Sequence, residues 1–359
     1  MIRLLIAGAI SFALSAVLTR VLIDLLTRSR IGQPIREDGP QGHLIKAGTP
    51  TMGGLAIVAG ALGGYGLSDL MSEIRPSFFG ASTITRSGLL VMAAIGAAGL
   101  VGFLDDWIKV TRARNLGLNA KLKTAGLLTV AVLFAVLTVN LTRVHTQLSF
   151  LRHDVPGWHL GSVGWVLWAV ILVYATSNAV NLTDGLDGLA AGSGIFSFAA
   201  YTLMGFWMFR QSTGVDAVDI YGVPHALDLA VVAVAMLAGC AGFLWFNAAP
   251  ADIFMGDTGS LAIGTGLAAL ALVTNTHLLL PVIGAIYVIE TSSVMLQVVF
   301  FKLTKGRRLF RMAPIHHHFE LLGWRETKVI IRFWMIAGGL TMIALGLFYA
   351  DWVANSGAR

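Results

Sequence analysis

The chain alternates long apolar runs with short polar connections, and this pattern predicts an all-α, polytopic membrane protein. A spanning helix needs about 20 consecutive, mostly apolar residues. Ten runs come close to that length, and they cover residues 2–23, 51–70, 87–104, 125–142, 164–180, 188–209, 227–246, 261–275, 278–301 and 329–350. The run 261–275 is short, so we expect it to pack against protein rather than to cross the bilayer alone.

Two of the ten runs contain residues that are unusual for a simple spanning helix. The run 278–301 contains Pro281, Gly284 and Glu290, and we expect a kink or a break there because proline interrupts the helical hydrogen-bond ladder. In the first run, Arg3 precedes an apolar stretch, as in a signal peptide. Its length and the nine later runs favour a spanning helix instead.

The composition supports a lipid environment and excludes several classes of protein. Of the 359 residues, 56% are hydrophobic and only 12% are charged, whereas soluble domains carry about 25% charged residues. The mean hydropathy is +0.76. An ordinary soluble enzyme, a disordered protein and a nucleic-acid binder are therefore excluded, and the expected partner of most of the surface is the lipid bilayer.

The distribution of Lys and Arg predicts how the chain is oriented in the membrane. Ten spans place both termini on the same side. Of the 25 Lys and Arg residues, 18 fall in or beside the connections that follow the first, third and ninth spans. By the positive-inside rule those connections are cytoplasmic, and both termini then lie outside. No internal repeat or linker divides the chain, so residues 1–359 are expected to form one membrane-embedded domain.

Acidic residues gather at the predicted cytoplasmic face. Six aspartates lie in or beside apolar runs there: Asp105, Asp106, Asp184, Asp187, Asp252 and Asp257. Carboxylates close to lipid are costly unless they are paired or bind a cation. An all-oxygen ligand set without cysteine favours Mg²⁺ or Mn²⁺, and Mg²⁺ usually completes its shell with water and phosphate oxygens. The cluster therefore predicts a divalent-cation site that receives a phosphorylated substrate.

Each acidic motif also has a simpler explanation when it is taken alone. The pair at 105–106 is compatible with a solvated helix end that pairs with Lys109. Asp184 and Asp187 are compatible with a turn and an N-cap for the sixth span, and residues 256–259 with a plain turn. The occurrence of all three motifs at one predicted face favours a shared site.

A run of three histidines lies in the last predicted cytoplasmic connection. His316, His317 and His318 are consecutive, and consecutive histidines rarely supply three ligands to one tetrahedral ion. We therefore favour phosphate or pyrophosphate binding by this run, together with Arg308 and Arg311. A metal site and a solvated loop remain as alternatives.

Several of these motifs match a known family. The chain resembles the polyprenyl-phosphate N-acetylhexosamine-1-phosphate transferase superfamily and, within it, the phospho-N-acetylmuramoyl-pentapeptide transferase (MraY) family. Residues 103–106 and 178–188 are marks of the superfamily, whereas residues 49–54 and 313–320 are more specific to this family. The resemblance extends over residues 32–332.

The resemblance implies a specific reaction. Members transfer phospho-MurNAc-pentapeptide from UDP-MurNAc-pentapeptide to undecaprenyl phosphate, which forms lipid I and releases UMP. The family needs Mg²⁺, works at the inner leaflet of the bacterial inner membrane, has ten spans with both termini outside, and is usually a homodimer.

The resemblance also implies roles for individual residues. The predicted catalytic residues are Asp105, Asp106, Asp257 and His316. Asp257 is expected to be the principal Mg²⁺ ligand, with Asp184 as a second ligand, while Asp105 and Asp106 orient the undecaprenyl phosphate. The residues expected to line the uridine pocket are Lys46, Asp187, Asn247 and Phe254, the last by stacking. The other predicted substrate contacts are Thr51, Lys109, Lys121, Lys123, Asn178, Asn181, Gly185, Leu186, His317 and His318.

Two alternative functions are weighed against this one. A sibling transferase that uses UDP-N-acetylglucosamine is disfavoured by the histidine run and by the motif at 49–54. A secondary transporter belongs to a different class, and transporters place their carboxylates near the bilayer midplane and often contain inverted repeats. Here the acidic residues gather at one face, and no repeat is visible.

Overall fold

The computed structural model describes residues 1–28, 48–76, 84–111, 117–212 and 220–355, and these residues are almost entirely helical. The helices are α1 (Ile2–Arg28), α2 (Gly54–Ile74), α3 (Arg86–Thr111), α4 (Ala120–Leu141), α5 (Gly161–Thr183), α6 (Leu189–Ser212), α7 (Ala226–Asn247), α8 (Gly256–Val273), α9 (Leu280–Ile283), α10 (Ala285–Leu303), α11 (Ile315–Leu321) and α12 (Glu326–Asn355). Two strands, β1 (Gln147–Arg152) and β2 (Val155–His159), form an antiparallel pair between α4 and α5.

Ten helices in the described part of the chain are long and apolar enough to cross a membrane, as the apolar runs predict. Most of them extend a few residues beyond the predicted run, because polar residues continue the helix at the ends. The helices α1, α4 and α10 bury less than a third of their apolar windows and expose large side chains such as Leu5, Leu133 and Met295. These faces are suited to contact with lipid.

The helix α8 lies at the centre of the bundle. It has 18 residues, nearly all of them buried, and packs mainly against α3 and α5. The expectation that the short run 261–275 packs against protein is therefore confirmed, although the helix begins five residues earlier, at Gly256. The hydroxyls of Ser177 in α5 and Thr265 in α8 lie 2.8 Å apart and join the two helices deep in the bundle.

Small residues bring the first helices close to the rest of the bundle. The Ser11 hydroxyl donates to the carbonyl of Ala235 over 2.6 Å, and the Ser15 hydroxyl donates to the carbonyl of Gly239 over 2.7 Å. A Cβ atom at Gly242 would lie 2.5 Å from the carbonyl oxygen of Phe12. Close packing of small residues is a general way in which helices associate in membranes.

The predicted break in the ninth apolar run is confirmed. The short helix α9 carries Pro281 and ends at Ile283, and Gly284 separates it from α10. The break turns α10 so that Glu290 points into the protein, where its side chain is fully buried.

Two elements were not predicted from the pattern of apolar runs. The hairpin of β1 and β2 lies at the end of the bundle opposite Asp105, Asp106 and Asp257. Its strands are too short and irregular to show a clear alternation of apolar and polar residues. The helix α11 covers the histidine run, and with seven residues it is too short for a periodic signal.

Candidate active site

Three carboxylates from distant parts of the chain meet at one end of the bundle. Asp105 and Asp106 lie near the C-terminal end of α3, and Asp257 lies in the first turn of α8. Each offers an oxygen that lies within 4.8 Å of the others, and all three residues are buried. We call these residues the acidic trio. The sequence-based expectation that they converge is confirmed.

Asp106 connects α3 to the beginning of α8. Its Oδ1 accepts the backbone N–H of Asp257 over 3.1 Å, and its Oδ2 accepts the backbone N–H of Thr258 over 3.0 Å and the Thr258 hydroxyl over 2.8 Å. The first N–H groups of a helix have no partner within the helix and favour a nearby negative charge. Asp106 therefore acts as a cap supplied by another helix, and it fixes the position of Asp257. Thr258 was not predicted as a residue of the site, although it stands next to the predicted metal ligand.

Two glycines allow α8 to begin so close to α3. Gly256 has a φ of +74°, and a Cβ atom there would lie 2.6 Å from Asp106 Oδ2. A Cβ atom at Gly102 would lie 2.3 Å from the carbonyl oxygen of Asp257. Any larger residue at either position would separate Asp257 from the other two carboxylates.

Two lysine side chains reach the acidic trio. The Nζ of Lys109 lies 2.7 Å from Asp257 Oδ2 and also pairs with Asp105, and the Nζ of Lys123 lies 2.7 Å from the same oxygen of Asp257. Both side chains are about one-quarter exposed. By contrast, Lys121 is exposed, and the structure gives it no ion pair with a described residue. Of the three predicted lysines that the structure describes, two therefore lie at the acidic trio.

The segment after α5 contributes an amide and a further carboxylate. The Nδ2 of Asn181 donates to Asp257 Oδ1 over 2.5 Å and to the hydroxyl of Ser260 over 2.9 Å. Asp184 lies outside the acidic trio but near it. Burial, followed by the negative charges of Asp257 and two neighbouring aspartates, raises the pKa of the Asp184 carboxyl to about 8. A bound cation would counter both causes.

The other predicted residues of this segment mainly hold its backbone in place. The Nδ2 of Asn178 donates to the carbonyl of Tyr174, one turn earlier in α5. One oxygen of Asp187 accepts the backbone N–H of Ala251 over 3.0 Å, and the backbone N–H of Asp187 donates to Glu326. Gly185 and Leu186 lie between these two aspartates, and the Leu186 side chain is buried in a second apolar cluster.

The three histidines have three different partners. His316 is fully buried, and its Nδ1 lies 3.0 Å from the buried carboxylate of Glu290. The Nδ1 of His317 lies 2.7 Å from Glu320, and the Nδ1 of His318 accepts the backbone N–H of Arg311. The three ring nitrogens therefore do not converge on one point, and among the described residues they belong to no group that could hold a metal ion.

Glu290 links the broken span to the site. The Nε2 of His316 faces Gly185, since a Cβ atom there would lie 2.5 Å from it. Glu290 therefore contacts the histidine on one side of its ring, and the segment that carries Asp184 contacts it on the other. A glutamate within a membrane span is rare, but the sequence gives no partner for it.

The residues expected at the uridine pocket lie on the loop between α7 and α8 and beside it. Asn247 is buried, and its Nδ2 donates to the carbonyl of Ile253 over 2.8 Å, while its Oδ1 has no hydrogen-bond partner among the described residues. Phe254 is partly buried and joins the segment at 50–53 through its backbone, next to the buried Thr51. Lys46 lies outside the described residues.

Carboxylates, ammonium groups and amides meet at the end of several long apolar helices. Together these groups can bind a divalent cation and anionic phosphates. Fold and site together define a polytopic membrane transferase. The sequence model of the family described as Glycosyl transferase family 4 matches residues 88–275, which include the whole acidic trio. A signature of the phospho-N-acetylmuramoyl-pentapeptide-transferases matches residues 46–58.

Curated relatives agree with this assignment over the full length. The chain is 48% identical to a phospho-N-acetylmuramoyl-pentapeptide-transferase of Streptomyces avermitilis, with 98% of this chain and 99% of the relative aligned. Relatives with the same name from Corynebacterium kroppenstedtii and Corynebacterium aurimucosum are 48% and 49% identical, over 98% and 99% of this chain and 99% of each relative. The chain belongs to the phospho-N-acetylmuramoyl-pentapeptide-transferase family.

Proposed function

We propose that this enzyme transfers phospho-MurNAc-pentapeptide from UDP-MurNAc-pentapeptide to undecaprenyl phosphate in peptidoglycan synthesis, and that it uses Mg²⁺. The observation that carries the proposal is the convergence of the acidic trio with Lys109 and Lys123 at one end of the helices, in a chain of this family. A phosphate oxygen of the lipid attacks the phosphorus that bears the sugar. The bond from that phosphorus to UMP breaks, and UMP leaves with the electron pair.

The chemistry of the donor groups fits Mg²⁺. The acidic trio offers only carboxylate oxygens, which is the ligand type that this ion prefers, and neither cysteine nor histidine belongs to the group. Asp257 and Asp184 would hold the ion. When bound, it supplies positive charge that offsets the charge of the pyrophosphate.

The chain's own residues position two anionic substrates and neutralise charge. Asp105 and Asp106 orient the head group of the undecaprenyl phosphate beside Asp257. Lys109, Lys123 and His316 supply hydrogen-bond donors toward the charge that develops in the transition state, which is the main need in phosphoryl transfer.

The remaining residues of the proposed site bind the nucleotide and the sugar phosphate. Asn247, Phe254 and Asp187 lie on or beside the loop before α8 and line the uridine pocket, together with Lys46. The other proposed contacts are Thr51, Asn178, Asn181, Gly185, Leu186, His317 and His318, with Lys121 as an outer, exposed contact.

The distribution of Lys and Arg supports the orientation that we propose for the enzyme. The end of the bundle that carries the acidic trio faces the cytoplasm, both termini lie outside, and the enzyme is a multi-pass protein of the bacterial inner membrane. Residues 1–359 form one domain, and the enzyme works as a homodimer.

The test is UMP release by purified protein in mixed micelles that contain undecaprenyl phosphate. We expect UMP release with UDP-MurNAc-pentapeptide and Mg²⁺, and little with UDP-N-acetylglucosamine, which the sibling transferases use. Asp257→Asn keeps the size of the side chain and should lower the rate at least about 10³-fold, because it removes the charge shared by both lysines. Chelation of divalent cations should abolish turnover, and Mg²⁺ should restore it.

Asp252→Asn is the matched control, because Asp252 is exposed on the same loop and its side chain contacts none of the acidic trio. Its activity should stay within about twofold of the wild type. Near-normal turnover by a folded Asp257→Asn variant would contradict the assignment of Asp257. UMP release with UDP-N-acetylglucosamine alone would contradict the proposed substrate.

A further inference from the structure

A second polar site lies at the end of the bundle opposite the acidic trio. A cavity of about 450 Å³ opens there, between the beginning of α3, the end of α4 and the turn that precedes α7. Cavities of roughly 300–1,000 Å³ are typical of small-molecule sites. None of the groups assigned to the transfer reaction lines this cavity.

Three basic side chains line the cavity. They are Arg86 at the beginning of α3, Arg143 just after α4, and His225 just before α7. The Nη1 of Arg86 lies 3.5 Å from the carbonyl oxygen of Leu141, which is a marginal hydrogen bond, and the structure gives Arg143 and His225 no side-chain partner among the described residues. No acidic residue belongs to the described lining. The described lining of the cavity therefore carries basic groups and no carboxylate.

Thr85, which lines the cavity, is held by a buried carboxylate behind it. Asp228 is fully buried, and its Oδ2 accepts the backbone N–H and the hydroxyl of Thr85, both over 2.8 Å. The same carboxylate lies 3.2 Å from Arg3, which also pairs with Asp69, and it accepts the hydroxyl of Tyr65 over 3.0 Å. None of the partners that the structure gives Asp228 is Arg86 or Arg143.

The position of these arginines runs against the distribution of charge along the chain. Only seven of the 25 Lys and Arg residues lie at this end or at the termini. Arg3 is among them and is buried in a salt-bridge network, and Arg152 pairs with Asp154. Two of the remaining five, Arg86 and Arg143, converge on one cavity, although cations are scarce at this face.

We propose that this cavity binds a phosphate group, presented by the head group of an anionic phospholipid or by a soluble phosphate. Arginine matches phosphate because its planar guanidinium donates two parallel hydrogen bonds to two oxygens. The cavity is larger than a phosphate needs and so also admits part of an esterified alcohol.

The test measures the unfolding temperature of the purified full-length protein in a neutral detergent. It is titrated with short-chain phosphatidylglycerol, with a short-chain diacylglycerol that lacks the phosphate, and with inorganic phosphate against chloride at equal ionic strength. We expect a saturable rise with phosphatidylglycerol and none with diacylglycerol. In Arg86→Gln/Arg143→Gln the half-saturating concentration should rise at least about tenfold, because two charged hydrogen-bond donors are lost.

Arg75→Gln/Arg210→Gln is the matched control, since it removes the same charge from exposed arginines at the same end but outside the cavity. It should respond as the wild type does, and both double variants should keep wild-type UMP release in the undecaprenyl phosphate assay without added phosphatidylglycerol. The alternative outcome is that the unfolding temperature of the wild type rises saturably with inorganic phosphate only. If Arg86→Gln/Arg143→Gln loses that response, the result supports the site and assigns it to a soluble ligand. The absence of a saturable response in the wild type, or an equal response in both double variants, overturns the proposal.

Discussion

Gly102 provides a sensitive test of how the fold positions the acidic trio. In Gly102→Ala the new Cβ atom would lie 2.3 Å from the carbonyl oxygen of Asp257 and 2.5 Å from the backbone nitrogen of Thr258. Both neighbours are backbone atoms at the beginning of α8, so rotation of a side chain cannot relieve the contact. The helix α8 must move away from α3.

The size of that movement follows from the contact distances. An ordinary contact of this kind is 3.4 Å or longer, so the beginning of α8 must retreat by about 1 Å. The bonds from Asp106 to the first N–H groups of α8, now 3.0 and 3.1 Å, would then exceed hydrogen-bond length. A misplacement of about 1 Å at a reacting centre lowers a rate by about 10²-fold, and overpacking costs about 1–3 kcal/mol of stability.

The assay is UMP release under saturating substrate, together with the unfolding temperature of the same preparation. Gly96→Ala is the control on the same helix, because a Cβ atom there would lie 3.8 Å from Leu62, an ordinary contact. We expect Gly96→Ala to stay within about twofold of the wild type. A folded Gly102→Ala variant that keeps more than half of the activity would refute the argument that this contact sets the geometry of the site.

Three further predictions concern other contacts. Lys123→Gln should lower the rate about 10- to 100-fold, because it removes a charged bond to the acidic trio, whereas Lys121→Gln should change it less than twofold in the same UMP assay. Glu290→Gln should lower kcat about tenfold with little change in KM, because the amide no longer orients His316. Glu290→Asp keeps the carboxylate and should recover part of the loss. Equal effects of both variants on KM alone would contradict this role. Burial lowers the pKa of His277 to about 4, below the ordinary 6.5. The neutral, buried imidazole therefore contributes its full stability above pH 6.5. That contribution is lost as the pH falls toward 4, and the free energy of unfolding decreases by about 3 kcal/mol in total. Unfolding followed across this range should show the loss, and His277→Gln should flatten it.

The spans were predictable because lipid imposes a simple requirement on composition. About 20 apolar residues are needed at each crossing, and the ten runs matched ten helices. A break within the run 278–301 was predictable for a similar reason, since Pro281 cannot continue the hydrogen-bond ladder of a helix that runs through it. Its exact place at Gly284 was not predictable, because Pro281 lies in the first turn of the short helix α9. These features depend on local sequence alone.

The convergence of the acidic trio was also predictable, because the topology placed all of its members at one face. The detailed partners were not. Asp106 caps α8 and Glu290 contacts His316. Both contacts depend on how helices that are distant in sequence are rotated relative to each other. The ring of His277 shows the same limit, because its nitrogens face N–H donors from β1 and from Trp168 in α5, and the hairpin itself has no clear sequence pattern.

The enclosure of α8 has a consequence for how the enzyme responds to its membrane. A bilayer that is too thick or too thin for a span acts through lipid-facing residues, which tilt or shift to restore the match. The outer helices face lipid and would tilt or shift, whereas the helix that carries Asp257 is surrounded by protein. The position of Asp257 should therefore be nearly independent of acyl-chain length, which suits an enzyme whose own substrate and product are membrane lipids.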